Sequence, residues 1–135
     1  MSTKLKGLIA ATYTPLAADG ELNLAQIGPL VEHLLSKGVD GLFVCGSTGE
    51  GMSLTTAERK HVAAEFIRAT AGRVPVIVHV GHNSLSDAAD LAAHAATSGA
   101  DAISATCPSY YPINSPKTLI ECMSQVANAA ESTPF

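Results

Sequence analysis

The sequence predicts an α/β fold built from four strand–helix units whose strands run parallel. Three observations carry that expectation. Four short runs, Leu8–Tyr13, Leu42–Cys45, Val76–Val80 and Ala102–Cys107, are apolar at nearly every position, the pattern of strands covered on both faces. Stripes of helical period separate them. Gly38, Gly72 and Gly99 fall where three of those helices should stop, as left-handed caps would. Units recurring roughly every 30 residues imply parallel strands joined by right-handed crossovers.

The elements can be justified in order. The first strand spans 8–13; Lys4 and Lys6 before Leu8–Ala11 imitate a signal peptide, but Thr12, Thr14 and Pro15 break the apolar run too early. Ile27, Leu30, Val31, Leu34 and Leu35 form one helical stripe. Pro29 within it should bend that helix or delay its start. After the strand at 42–45, Thr55-Thr56-Ala57-Glu58 reads as a capping box opening a helix that buries Val62, Ala63, Phe66 and Ile67. After the strand at 76–80, a helix starts near Ser84 with a thin face of Ala88, Ala89, Leu91, Ala92, Ala95 and Ala96. The strand at 102–107 leads to Ser115-Pro116, an N-cap followed by proline at the first helical position. Leu119, Ile120, Met123, Val126, Ala127 and Ala130 are that last helix's expected stripe. Two helix exits share a pattern, Gly38-Val39-Asp40-Gly41 and Gly99-Ala100-Asp101-Ala102. The repeat fits either a small open sheet with helices on both faces or half of a (β/α)8 barrel.

Composition narrows the function classes. The 135 residues suit one domain, 1–135, and 47% are hydrophobic while 15% are charged, so a disordered tail is excluded. A net charge of −4 and no basic run leave nothing to neutralise a nucleic-acid backbone. No run approaches the roughly 18 apolar residues of a membrane span. Cys45, Cys107 and Cys122 lack the spacing of a disulfide framework or zinc site and suit a reducing cytoplasm.

Chemistry concentrates at two strand exits. Val44-Cys45-Gly46-Ser47-Thr48-Gly49-Glu50-Gly51 leaves the second strand at its C-terminal end, where α/β folds place their sites. Its glycines allow backbone N–H groups to converge and Ser47 and Thr48 add hydroxyls, so the turn can be an anion cradle or an ordinary glycine-rich turn. It matches neither the Walker nor the dinucleotide glycine pattern. With no cation close in sequence, it suits a small singly charged group such as a carboxylate. Glu50 is expected to stiffen the turn by accepting backbone N–H bonds. Cys107-Pro108-Ser109-Tyr110-Tyr111-Pro112 is a rigid loop whose tyrosines can relay a proton or simply pack. His79 and His82 form H-x-x-H without a third ligand nearby, so no metal is expected. Cys45 and Cys107, at strand ends, are expected to be buried small hydrophobes.

Together, Ala11-Thr12, Thr14-Pro15, Gly46-Ser47-Thr48-Gly49-Glu50, Leu54-Thr55, Glu58-Arg59 and Pro108-Ser109-Tyr110-Tyr111-Pro112 resemble the N-acetylneuraminate lyase and dihydrodipicolinate synthase superfamily. These are pyruvate-dependent class I aldolases on a (β/α)8 barrel, usually homotetramers. The Ser47 variant of the first motif, His79-Val80-Gly81 and Tyr110-Tyr111-Pro112 are similar to the neuraminate lyase branch; the synthase branch is the alternative. The resemblance implies that Ser47 and Thr48 hold the carboxylate of pyruvate or of a sialic acid, with Gly46, Gly49 and Glu50 supporting the loop. It implies that Tyr110 relays a proton with Ser47, reaching into a neighbouring subunit, and that no metal or organic cofactor takes part.

The same resemblance places the imine lysine on a sixth strand and the base tyrosine after a fifth. This chain closes on Thr133-Pro134-Phe135, where a fifth strand is expected to begin. It is therefore expected to be the N-terminal half of a barrel, inactive alone, whose open edges call for another copy or a C-terminal half. A non-catalytic carboxylate-binding module and an open-sheet phosphate binder are the rival readings.

Overall fold

The computed structural model describes residues 5–131 and 133–135. Strands β1 (Ile9–Ala11), β2 (Gly41–Val44), β3 (Val76–His79) and β4 (Ala102–Ser104) form one sheet in chain order. Every neighbouring pair is parallel. Helices α1 (Ile27–Ser36), α2 (Thr56–Thr70), α3 (Leu85–Ser98) and α4 (Pro116–Ala129) follow the four strands in turn. A doubly wound sheet reverses its strand order at a switch point. Here the order never reverses, so the three right-handed crossovers put α1, α2 and α3 on one face, and α4 packs beside α3. Consecutive helices pack side by side along it. The result is an arc of a (β/α) barrel.

Alternation along the strands sorts the two faces. Leu42, Val44, Val76, Val78, Val80 and Ile103 are buried under the helices, against Ile27 and Val31 of α1, Val62 and Phe66 of α2, and Leu91 of α3. The alternate residues Phe43 and His79 face the concave side, their rings 6.1 Å apart. Past α4, the Pro134 carbonyl accepts from the Ile103 N–H at 2.8 Å, laying that residue beside β4.

Several boundaries differ from the sequence-based expectation for physical reasons. β2 ends at Val44, because Cys45 turns into the left-handed region at φ 59°, which no strand can follow. β4 stops at Ser104; its last rung is the Val80 N–H bond to the Ser104 carbonyl, 2.8 Å. Cys107 consequently lies on a departing loop and is exposed, which corrects its expected burial. Pro29 is the third residue of α1, where its missing N–H is one that the first turn leaves unpaired anyway. α2 closes on Ala71 (φ 50°), one residue before Gly72. On α4, Leu119 and Ile120 are 40% and 64% exposed, so these two residues of the expected stripe have no cover within the described residues.

Other local signals act as read. Thr55 Oγ1 accepts from the Glu58 N–H at 3.2 Å while Glu58 Oε2 accepts from the Thr55 N–H at 2.7 Å, a complete capping box. Ser84 and Ser115 cap α3 and α4. The repeated Gly-x-Asp exits do the same job twice. Asp40 takes the Leu8 N–H on Oδ2 at 2.8 Å, and Asp101 takes the Val76 N–H on Oδ2 at 2.9 Å. Each aspartate thus pins the start of the preceding strand. None of the described helices is long and apolar enough to cross a membrane.

Candidate functional site

The turn from Gly46 to Gly51 is folded by its own backbone. The Gly51 N–H donates to the Gly46 carbonyl and the Glu50 N–H to the Ser47 carbonyl, both at 3.1 Å. Thr14, buried after β1, donates its hydroxyl to the Gly49 carbonyl at 2.7 Å and ties the turn to the first strand. The glycines are sterically required. A Cβ on Gly51 would collide with the Cys45 carbonyl oxygen, and one on Gly49 would come 3.0 Å from the Thr12 carbonyl. Two left-handed non-glycine residues, Cys45 and Glu50 at φ 54°, bracket the turn, a concentration of strain typical of functional loops. The Glu50 carboxylate accepts no backbone N–H among the described residues; its support is through its backbone, which corrects the role expected for its side chain.

Ser47 and Thr48 stand exposed at the tip of this turn. Neither hydroxyl, nor the N–H of Ser47, Thr48 or Gly49, is engaged by a protein partner among the described residues. The strand end therefore offers a cluster of free donors on a backbone that cannot easily move, which is what binding an oxyanion requires.

At the end of β3, the strand next to the one from which the turn springs, lies a cation that the sequence reading did not credit to the site. Arg59 of α2 is 1% exposed and has no carboxylate partner among the described residues. Its Nη1 donates to the Gly81 carbonyl at 2.8 Å and its Nη2 to the His79 carbonyl at 2.7 Å. Nη2 also lies 3.4 Å from His79 Nδ1. On the other side of that ring, Nε2 meets the Thr106 N–H at 3.2 Å and the Thr106 hydroxyl at 3.4 Å. Cys45 Sγ donates to the Arg59 carbonyl at 3.8 Å. Arg59 thus links α2 to the ends of β2 and β3, and the His79 ring carries the link on to Thr106 after β4. Burial pushes the Cys45 thiol up to about 11, so it is no nucleophile. Burial also works against the charge on Arg59, which guanidinium nevertheless keeps.

His79 is held below the ordinary histidine value of 6.5, first by burial and then by the Arg59 charge. A second ring proton would turn its remaining acceptor into a donor facing donors. Because the unfolded chain binds that proton more readily, stability should fall as pH drops below about 6.5 and through the lower folded value, and be flat above. His94, lowered by burial and by Lys60, adds a slope of the same sign. Urea midpoints measured from neutral pH down to about pH 5 should show this loss, and His79→Gln should flatten most of it.

The tyrosine loop follows β4. Tyr110 is 78% exposed and its ring meets that of Tyr111 edge-on at 4.9 Å. No hydrogen bond joins Tyr110 to Ser47 within the chain's described residues. The loop is instead anchored by Asn83, whose Oδ1 accepts from the Ser109 N–H at 2.8 Å and the Tyr110 N–H at 3.1 Å. His82 is occupied separately, with Nδ1 accepting from the Ser84 N–H at 2.9 Å. Thr14 and Arg59, quoted only within the motifs, and Asn83 are supporting residues to which the sequence reading gave no role. Arg59 had a signal, because it lies three residues before Val62 on the buried stripe of α2. Asn83 had none, since its partners are 26 and 27 residues away.

Comparison with known proteins agrees with this geometry. Residues 4–135 match the model of the dihydrodipicolinate synthetase family. N-acetylneuraminate lyase A of Xenopus laevis is 50% identical over 134 residues, covering 98% of this chain and 44% of that protein. The human N-acetylneuraminate lyase is 42% identical over the same length. The solved Proteus mirabilis N-acetylneuraminate lyase superposes with a TM-score of 0.94 at 39% identity, over 97% of this chain and 44% of its own. A dihydrodipicolinate synthase structure superposes with a TM-score of 0.86 at 30% identity. The chain spans less than half the length of these relatives.

Proposed function

The chain belongs to the dihydrodipicolinate synthetase family, and from that premise we propose that it supplies the carboxylate-binding half of an N-acetylneuraminate lyase-type aldolase. The observation that carries this reading is the rigid turn after β2, with the Ser47 and Thr48 hydroxyls free of protein partners among the described residues. In that role the two hydroxyls and the adjacent N–H groups hold the carboxylate of pyruvate, or the same group of N-acetylneuraminate. The fixed donors orient the 2-keto carbon toward an amine that the rest of the barrel provides. That amine forms an imine with the keto carbon as the keto oxygen leaves as water, and water later hydrolyses the imine to release pyruvate. The imine accepts the electron pair released when the carbon–carbon bond to N-acetylmannosamine breaks. Tyr110, held through its N–H by Asn83, moves the proton between Ser47 and the reacting oxygen. Its exposure supports its action at a neighbouring subunit's site.

The test is a titration of the chain with pyruvate, followed through the backbone amide signals of Ser47, Thr48 and Gly49. These signals should shift saturably. Ser47→Ala and Thr48→Val should each weaken binding about tenfold, the value of one hydrogen bond to a charged group. Shifts confined to other loops would refute the assignment. Tighter binding of a phosphate ester than of pyruvate would favour a phosphate site instead.

A further inference from the structure

Arg59 presents a problem that the fold alone does not solve. A buried guanidinium normally pairs with a carboxylate, because an isolated buried charge is costly. Arg59 has none among the described residues; it is 1% exposed, bonds only neutral acceptors, and its Nε has no partner. Strand register locates this charge. Val44 pairs with Val78, so Cys45 and His79 adjoin at the next step, and the guanidinium sits on the His79 and Gly81 carbonyls. It therefore lies at the strand end beside the one from which the Gly46–Gly51 turn springs. The turn itself carries donors that no protein anion engages among the described residues.

We propose that Arg59 is the electrostatic positioning residue of the cradle, its missing counter-charge being the carboxylate of the bound 2-keto acid. This deepens the pyruvate reading and rests on it. The guanidinium does not touch the ligand. It fixes the ends of β3 and, through His79 and Thr106, the start of the tyrosine loop. Its charge, shielded from water, makes the Ser47–Gly49 donors selective for an anion over a neutral ligand of the same shape. This supplies the cation that sequence proximity alone did not reveal.

The experiment compares pyruvate with pyruvamide, its neutral analogue, by the Ser47 and Thr48 amide shifts of the full chain. The wild type should prefer pyruvate. Arg59→Met should reduce the preference about tenfold or more by weakening pyruvate selectively, whereas Arg59→Lys, which keeps the charge, should retain most of it. A purely structural role would weaken both ligands together and leave their ratio unchanged, which would overturn the proposal. Should Arg59→Met fail to fold, the wild type still decides. A buried charge is poorly screened, so the preference should persist from low to high salt, and its disappearance would assign it to surface charge. Absence of any pyruvate shift in the wild type would instead overturn the cradle reading itself, a result distinct from an unaltered preference in Arg59→Met.

Discussion

Incubated with pyruvate and borohydride, the 135-residue chain is expected to keep its unmodified mass. Trapping an imine needs an unprotonated amine beside the bound keto carbon, and the lysines are in the wrong places. Lys6 precedes β1 and is exposed, and Lys37 follows α1, at the opposite end of the sheet from the cradle. Lys60 is held by Asp90 Oδ2 at 2.6 Å on the outer helical layer. Lys117, in the first turn of α4, lies 3.8 Å from Glu121 with its side chain 84% exposed. Lys4, which precedes β1 in sequence, lies outside the described residues. None of the four described lysines stands at the C-terminal end of a strand. Intact-mass analysis checks this directly. An adduct would identify one of these lysines as a nucleophile and remove the basis for assigning the amine to another part of the barrel.

Gly51→Ala should cost about 3 kcal/mol or more, at the upper end of what overpacking produces. The added methyl would run into the Cys45 carbonyl oxygen, which is backbone and cannot rotate aside as a side chain could. Cys45 is already at φ 59°, and its side chain is packed in the core, so relief must come from moving the turn. That movement would break the Gly51 N–H bond to the Gly46 carbonyl and displace the Ser47 and Thr48 donors together. Urea unfolding should show the stability loss and the pyruvate titration a parallel loss of binding. Gly28→Ala, on α1 where an added methyl meets nothing within 4 Å, is the control and should be neutral or slightly stabilising. A Gly51→Ala protein of wild-type stability would mean that the turn relaxes freely, contrary to the rigidity that the cradle needs.

Local interactions were legible wherever partners are close in sequence or repeat with a fixed period. Each of the four apolar runs holds a strand, though the first is cut to Ile9–Ala11 between exposed Leu8 and Tyr13 and the last to Ala102–Ser104. The Thr55–Glu58 capping box and the Ser115-Pro116 helix start act as read, because each rests on bonds within one turn. The Gly46–Gly51 turn was legible for the same reason. Cys107 was misjudged because β4 stops at Ser104 and the chain leaves the sheet, and Leu119 and Ile120 because helical period alone does not say whether a face is covered.

The order of elements, the parallel strands and the two hydroxyls on a glycine-rich strand exit are all readable from the residues alone, since periodicity and short-range hydrogen bonding decide them. Periodicity left the barrel arc and the doubly wound sheet open, because the repeat is the same in both; the motif resemblance implied the arc, and the unreversed strand order shows it in the tertiary structure. Only the tertiary structure brought Arg59 from α2 to the ends of β2 and β3, and set Asn83 under the backbone of Tyr110. Those contacts join residues 14 to 27 positions apart, and packing of the helix layer on the sheet, not local propensity, brings them together.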